Sequence, residues 1–301
     1  MPKAPPKTDG RNGRSLRRAL RQALLLLPRL IGGQARSTSG VKKKRDGKNR
    51  ALPHPAPTIE LVDVHRIGSL TPNRDATVAV VMPCIDVKLA LETARLLANR
   101  AGMHCRIIVV DDRPRQGFVR TFNDTAARIT ARYIVYLAQD AYPGRNWLRE
   151  AHEALEKSGK GLLGFNDGTY RGRIATFGLV RMDWARTLYG GPIFHPGYNC
   201  HGADNELTVI ARALGSYMYE PNCTLVEYDP HKEEKPGHKN DAKLFRQRFV
   251  AGFDGLVPLE SLRQLALDYK VDPALLSDNR LCGSQEACNH EVAPTKPEDA
   301  L

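Results

Sequence analysis

The sequence predicts an α/β protein built on a mostly parallel sheet flanked by helices. Three observations predict it. Residues 78–82, 106–110 and 133–137 are short apolar runs rich in β-branched or aromatic side chains, as in strands covered on both faces. Segments of helical spacing, 89–101 and the stretch from 117 to 131, lie between them. Each run ends abruptly, on Pro83-Cys84, on Asp111-Asp112 and on Gln139-Asp140. Strand–helix–strand–helix–strand is the order of a doubly wound sheet, whose ligands bind beyond the C-terminal strand ends.

Taken in order, residues 1–14 are rich in Pro, Lys, Arg and Gly and are expected to be disordered. Residues 15–31 place Leu16, Leu20, Leu24, Leu27 and Ile31 on one helical face and Arg17, Arg18 and Arg21 off it, with Pro28 as a kink. Residues 32–57 read as a linker, and the folded body starts near Ile59. Pro83 is expected to stop the first strand. After a Pro143-Gly144 turn, residues 147–157 read as a helix. Residues 161–165 and 174–182 are strand candidates, 183–188 a short helix, 192–199 a loop and 205–214 a helix. Two closing strands are expected at 217–219 and 224–228, then a polar segment, helices over 245–253 and 259–269, and a loose tail from Ser277. The domain division is 1–57 for the basic arm and linker, 58–243 for the α/β body, and 244–301 for a helical extension and tail.

The charge is unevenly placed. The formal net charge is +12, yet the first 50 residues hold 15 of the 45 Lys and Arg and only Asp9 and Asp46 of the 33 acids. The body is therefore close to neutral, which argues against a nucleic-acid-binding surface spread over the whole protein. The arm is too short and too charged to span a bilayer, and Arg29 interrupts it as a signal peptide. A basic amphipathic helix with the Lys42–Arg45 cluster suits an anionic membrane surface; a solvated tail, an organelle-targeting peptide and a nucleic-acid arm are the other readings. The six cysteines include no Cys-x-x-Cys pair, and Cys282, Cys288 and His290 match no standard zinc spacing. A reducing, cytoplasmic compartment follows.

There is no Gly-x-Gly-x-x-Gly after the first strand and no Walker loop, which weakens dinucleotide-binding, kinase and ATPase readings. Asp111 and Asp112 at one strand end can accept hydrogen bonds from a base or ribose, or start a turn before Pro114. Asp140, at the next strand end, can face a metal–diphosphate or open a turn.

From Val78 to Gly215 the chain resembles glycosyltransferases of the GT-A fold, in the large family 2 of inverting enzymes. Four segments carry the resemblance in order: VAVVMPC, RIIVVDD, GFVRTFNDTAARITARYIVYLAQDA, and FGLVRMDWARTLYGGPIFHPGYNCHGADNELTVIARALG. The Gln-Asp-Ala ending is most similar to rhamnosyltransferase-type members. The family's paired metal-motif acids are Gln139-Asp140 here, and its Glu-Asp pair is Ala203-Asp204, so one acid of each pair remains.

The resemblance implies a Rossmann-like GT-A domain that moves a sugar from a UDP- or dTDP-linked donor to a hydroxyl of a glycan or lipid-linked acceptor. It implies nucleotide binding by Pro83, Asp111, Asp112, Asn123 and Asp140, and a divalent cation, Mn or Mg, held by Asp140 and His231. Asp204 is the implied base, with Glu206 as its substitute. Lys235, His238 and Lys239 are placed to neutralise phosphate. The structural alternatives are a helix cap for Asp204, a favourable dipole contact for Glu206, and a solvated loop for 229–243. His195 and His201, near the acceptor segment, are structural or functional, and Trp147 and Trp184 are read as core. Two other readings stay open: a glycosyltransferase acting on nucleic acid such as modified viral DNA, and a degenerate member that only binds nucleotide or glycan.

Overall fold

The computed structural model describes residues 55–72, 76–227 and 239–276. The expected helix at 15–31, the Lys42–Arg45 cluster, His231, Lys235, His238 and the tail from Ser277 lie outside the described residues. In chain order the elements are β1 (Thr58–Asp63), a 3-10 turn (Val64–Ser69), β2 (Val78–Cys84), α1 (Val87–Arg100), β3 (Arg106–Asp111), α2 (Phe118–Ala126), β4 (Tyr133–Tyr136) and β5 (Ala141–Pro143). There follow α3 (Trp147–Ser158), β6 (Leu162–Asn166), β7 (Gly178–Arg181), α4 (Met182–Ala185), α5 (Ala203–Ala213) and β8 (Tyr217–Glu227). The chain closes with α6 (Lys239–Val250), a kinked turn (Gly252–Gly255), α7 (Leu259–Leu265) and two 3-10 turns, Ala266–Tyr269 and Pro273–Leu276.

One sheet orders these strands β1-β3-β2-β4-β7-β6-β8-β5. The first four are parallel, as the apolar runs predict. Alternation along β2 explains why both faces are buried. Val78, Val80 and Met82 pack with Ala90, Ala94 and Leu97 of α1, while Ala79 and Val81 pack with Val119 and Phe122 of α2 on the other face. Trp147 is fully buried and its indole N–H donates to Leu97 O at 3.1 Å, which ties α3 to α1.

The second half of the sheet departs from the sequence expectations. β7 runs antiparallel to both β4 and β6, and β5 antiparallel to β8, so the sheet is mixed. Pro83 does not stop β2, which continues to Cys84. β4 pairs only with Val78–Val81, so the N–H that Pro83 lacks breaks no bond on that side. The run at 174–182 is a strand only over Gly178–Arg181. Asp167 accepts from Thr169 N, Tyr170 N and the Thr176 hydroxyl, and so folds the preceding residues into a loop. The two closing strands are one, β8, with an irregular register opposite Phe165 and Asn166. β1, an edge strand, was not foreseen beyond the start of the body. α6 begins six residues earlier than expected and runs across the 243/244 boundary.

Candidate functional site

β3 and β4 lie on opposite sides of β2, and α1 and α2 on opposite faces of the sheet. The winding therefore reverses between β2 and β4, and such a switch point leaves a crevice outside the strand ends. Asp111 and Asp112 end β3, Asp140 lies just beyond β4, and Cys84 is the register partner of Asp111.

Gln139 bridges this switch point. Its side-chain oxygen accepts from Ile85 N at 2.9 Å and Asp86 N at 3.0 Å, and its carbonyl accepts from the Thr93 hydroxyl at 2.7 Å. The residue that replaces an acid of the resembled metal motif thus anchors the loop between β2 and α1. Asp86 in turn caps α1 through Leu89 N. Asp140, next in sequence, is half-buried.

Asp112 is buried and has both oxygens engaged, from Gln116 N at 2.8 Å and Gly117 N at 3.1 Å. It shapes the turn into α2. Asp111 pairs with Arg113, whose Nε lies 2.9 and 3.0 Å from the two carboxylate oxygens. The Arg113 hydrogen bond holds the Asp111 carboxyl below its ordinary range, while the guanidinium stays largely exposed at the crevice. Cys84, beside them, is pushed up to about 12, chiefly by burial and then by Asp111, Asp86 and Asp112. Burial beside these acids favours its thiol form over the thiolate. Pro83 is buried in β2 beside this row.

Asp204 stands in the first turn of α5, half-buried and electrostatically coupled to the Tyr136 and Tyr269 hydroxyls. The segment before Asp204 is stitched to its surroundings. The Asn123 amide donates to Phe194 O at 2.8 Å, and its oxygen accepts from Ile193 N and Phe194 N. Asn123 is thereby engaged with the backbone of Ile193 and Phe194, which leaves neither end of its amide open for the expected nucleotide contact. Gly117 has φ +103°, and a Cβ there would meet Asn199 Oδ1 at 2.1 Å and its carbonyl at 3.0 Å. Only glycine permits that approach. Asp241, from α6, accepts from Asn199 N, Cys200 N and His201 N at 2.9–3.0 Å.

Glu206 does not serve as a substitute base in this geometry. It is fully buried, and Arg248 of α6 donates Nε and Nη2 to its two oxygens at 2.8 Å each. Tyr189 and Tyr198 add hydroxyl bonds at 2.7 Å, and Arg248 also reaches Asp254 at 2.8 Å. A buried acid with every lone pair engaged holds elements together and takes no proton from a substrate. His195 sits between the Tyr189 and Tyr198 rings and accepts from Gly197 N through Nδ1, which fixes a neutral imidazole; burial lowers its pKa. Trp184 is partly buried against the core, as expected. Lys239 is exposed at the start of α6.

Sequence reasoning missed Asp241, Arg248 and Asp167. A signal for the first two was present: an acid and a base seven residues apart in a helical segment whose intervening apolar position is Phe245. Among the described residues no three His, Cys, Asp or Glu side chains gather in a metal-holding group, and no helix is long and apolar enough to cross a membrane.

No family model matches the chain, and no curated protein does. Among solved structures it is similar to Staphylococcus aureus TarS. The likeness to TarS 1–349 in complex with UDP-GlcNAc has 12% identity and a TM-score of 0.43, covering 66% of this chain and 70% of that one. For a second TarS structure the values are 11% and 0.41, over 71% and 43%. For TarS 1–349 with UDP they are 10% and 0.35, over 70% and 80%. TM-scores this low carry no argument about activity.

Proposed function

We propose that the chain is an inverting glycosyltransferase that moves a sugar from a UDP- or dTDP-linked donor to a hydroxyl of a glycan or lipid-linked acceptor. The observation that carries this reading is the switch point at β2, with Asp111 and Asp112 at the end of β3 on one side and Asp140 beyond β4 on the other. The four ordered segments of the family resemblance supply the reaction class.

In this mechanism the Asp204 carboxylate takes the proton of the acceptor hydroxyl. The hydroxyl oxygen attacks the anomeric carbon from the face opposite the diphosphate. The bond from that carbon to the diphosphate oxygen breaks, the electron pair leaves with the phosphate, and the configuration inverts. Asp111, with Arg113 beside it, is the proposed contact for the base or ribose. Asp140 would hold a divalent cation as a single protein carboxylate, as suits Mg bound mainly through substrate phosphates. His231 is a second proposed ligand, and Lys235 and Lys239 proposed phosphate contacts. Such a cation would stabilise charge on the leaving diphosphate.

A thermal-shift screen of UDP, dTDP and their sugars, each with and without Mn, tests the donor site. A shift that needs Mn and is lost in Asp140→Ala supports it. No shift with any nucleotide on a folded sample sinks it. A non-enzymatic nucleotide or glycan binder is the second reading, favoured by the engagement of Gln139 with backbone N–H groups and by Ala203 in place of an acid. Release of nucleotide from a donor sugar, abolished by Asp204→Asn, would exclude it. The basic arm suits an anionic membrane surface on the cytoplasmic side; replacing Arg17, Arg18 and Arg21 by Glu should release the protein from anionic vesicles.

A further inference from the structure

We infer that the C-terminal helical extension is part of the acceptor side of the site, with Asp241 as the positioning residue that sets the loop leading into Asp204. The inference rests on the glycosyltransferase reading for its functional half, and on geometry alone for the other.

α6 carries Asp241 and Arg248 seven residues apart, hence two turns along one face. Both side chains point at the same target from opposite ends. Arg248 grips Glu206 inside α5, and Asp241 grips the backbone just before that helix. Phe245, buried between them, fills the gap with apolar contact. The three N–H groups on Asp241 belong to consecutive residues, Asn199, Cys200 and His201. A carboxylate that is 4% exposed and accepts three backbone bonds imposes one conformation on that loop. Gly202 then turns with φ +84° and Ala203 opens α5, so the loop conformation determines where Asp204 is delivered.

The same loop touches the donor side. Asn199 O accepts from Val119 N at 3.1 Å, and Asn199 lies against Gly117, whose N–H is held by Asp112. Asp241 is thus at one end of a chain of contacts running through Asn199 and Gly117 to the acid at the end of β3.

The test compares the full-length wild type with Asp241→Asn and Asp241→Glu. Labelling of Cys200 by N-ethylmaleimide, read peptide by peptide, reports the loop, while the buried Cys84, Cys105 and Cys223 report global opening. Asp241→Asn is expected to raise Cys200 labelling about tenfold, with those three unchanged. It should also lower nucleotide release from UDP- and dTDP-sugars while the melting shift with UDP persists. Asp241→Glu, which keeps the charge, should restore part of both and serves if the Asn variant does not fold. Unchanged Cys200 labelling, or a rise shared by the buried cysteines, overturns the inference. So does full turnover in a protein whose Cys200 has been loosened. A wild type that answers to no nucleotide, with Cys200 still governed by Asp241, would sink the glycosyltransferase reading and leave the loop clamp standing.

Discussion

The two halves of the molecule place their polar residues by different means. From β1 to β4, Asp111 and Asp112 are located by the end of β3 and Asp140 by the chain beyond β4, on either side of β2, and the contacts of the first two are short-range: Asp111 with Arg113, Asp112 with Gln116 and Gly117. From β6 onward the chain uses polar clamps between distant segments. Asp241 and Asn199 are 42 residues apart, as are Glu206 and Arg248. The contrast teaches that strand ends position acids with local support alone, whereas the loop leading into α5 is held by buried charge from a distant helix.

The comparison breaks most sharply at Arg248. Arg248→Met leaves the Glu206 carboxylate buried without its partner and should cost about 3–5 kcal/mol, read by urea unfolding. The double variant with Glu206→Gln should recover much of that loss; if it does not, the pair is not the anchor of the extension. Gly117→Ala tests the seam between the halves. Its Cβ would collide with Asn199 at a backbone angle that L-residues avoid, so a loss of about 1–3 kcal/mol is expected, with faster exchange of the 199–201 amides.

Gln139→Ala probes the donor half alone. It removes the acceptor for Ile85 N and Asp86 N and should cost about 1 kcal/mol, while lowering nucleotide affinity more than stability. A larger stability loss than at Arg248 would reverse the contrast drawn above. The smallest effect is expected from pH. Burial lowers the His195 and His152 pKa values from 6.5, so the unfolded chain binds more protons below that value. Their contribution is complete above pH 6.5 and is lost as pH falls through it toward the folded values. The melting temperature should therefore drop as pH falls below 6.5, and drop less in His195→Gln.

Much of the first half was legible in the sequence. Fully buried parallel strands must be continuous apolar runs, and the acids at 111, 112 and 140 stand out against them. What failed there was local. Pro83 reads as a stop, yet it falls where β2 has no partner on the β4 side, a fact of sheet pairing invisible along the chain. In the second half the direction of β7 and the unity of β8 depend on neighbours far away in sequence. Glu206 and Asn123 were read as chemical because the family resemblance implied those roles. Both instead satisfy buried polar partners, and nothing in their immediate sequence names Arg248 or Phe194 as those partners.

The spacing of Asp241 and Arg248 in α6 makes that helix a ruler. Each inserted or deleted residue between them rotates one against the other by about 100°, so no side-chain repacking can serve both grips at once. Ala242, Lys243, Arg246 and Gln247, which lie between them, are all exposed. Across descendants of this chain, those four letters are free to drift while their number is not.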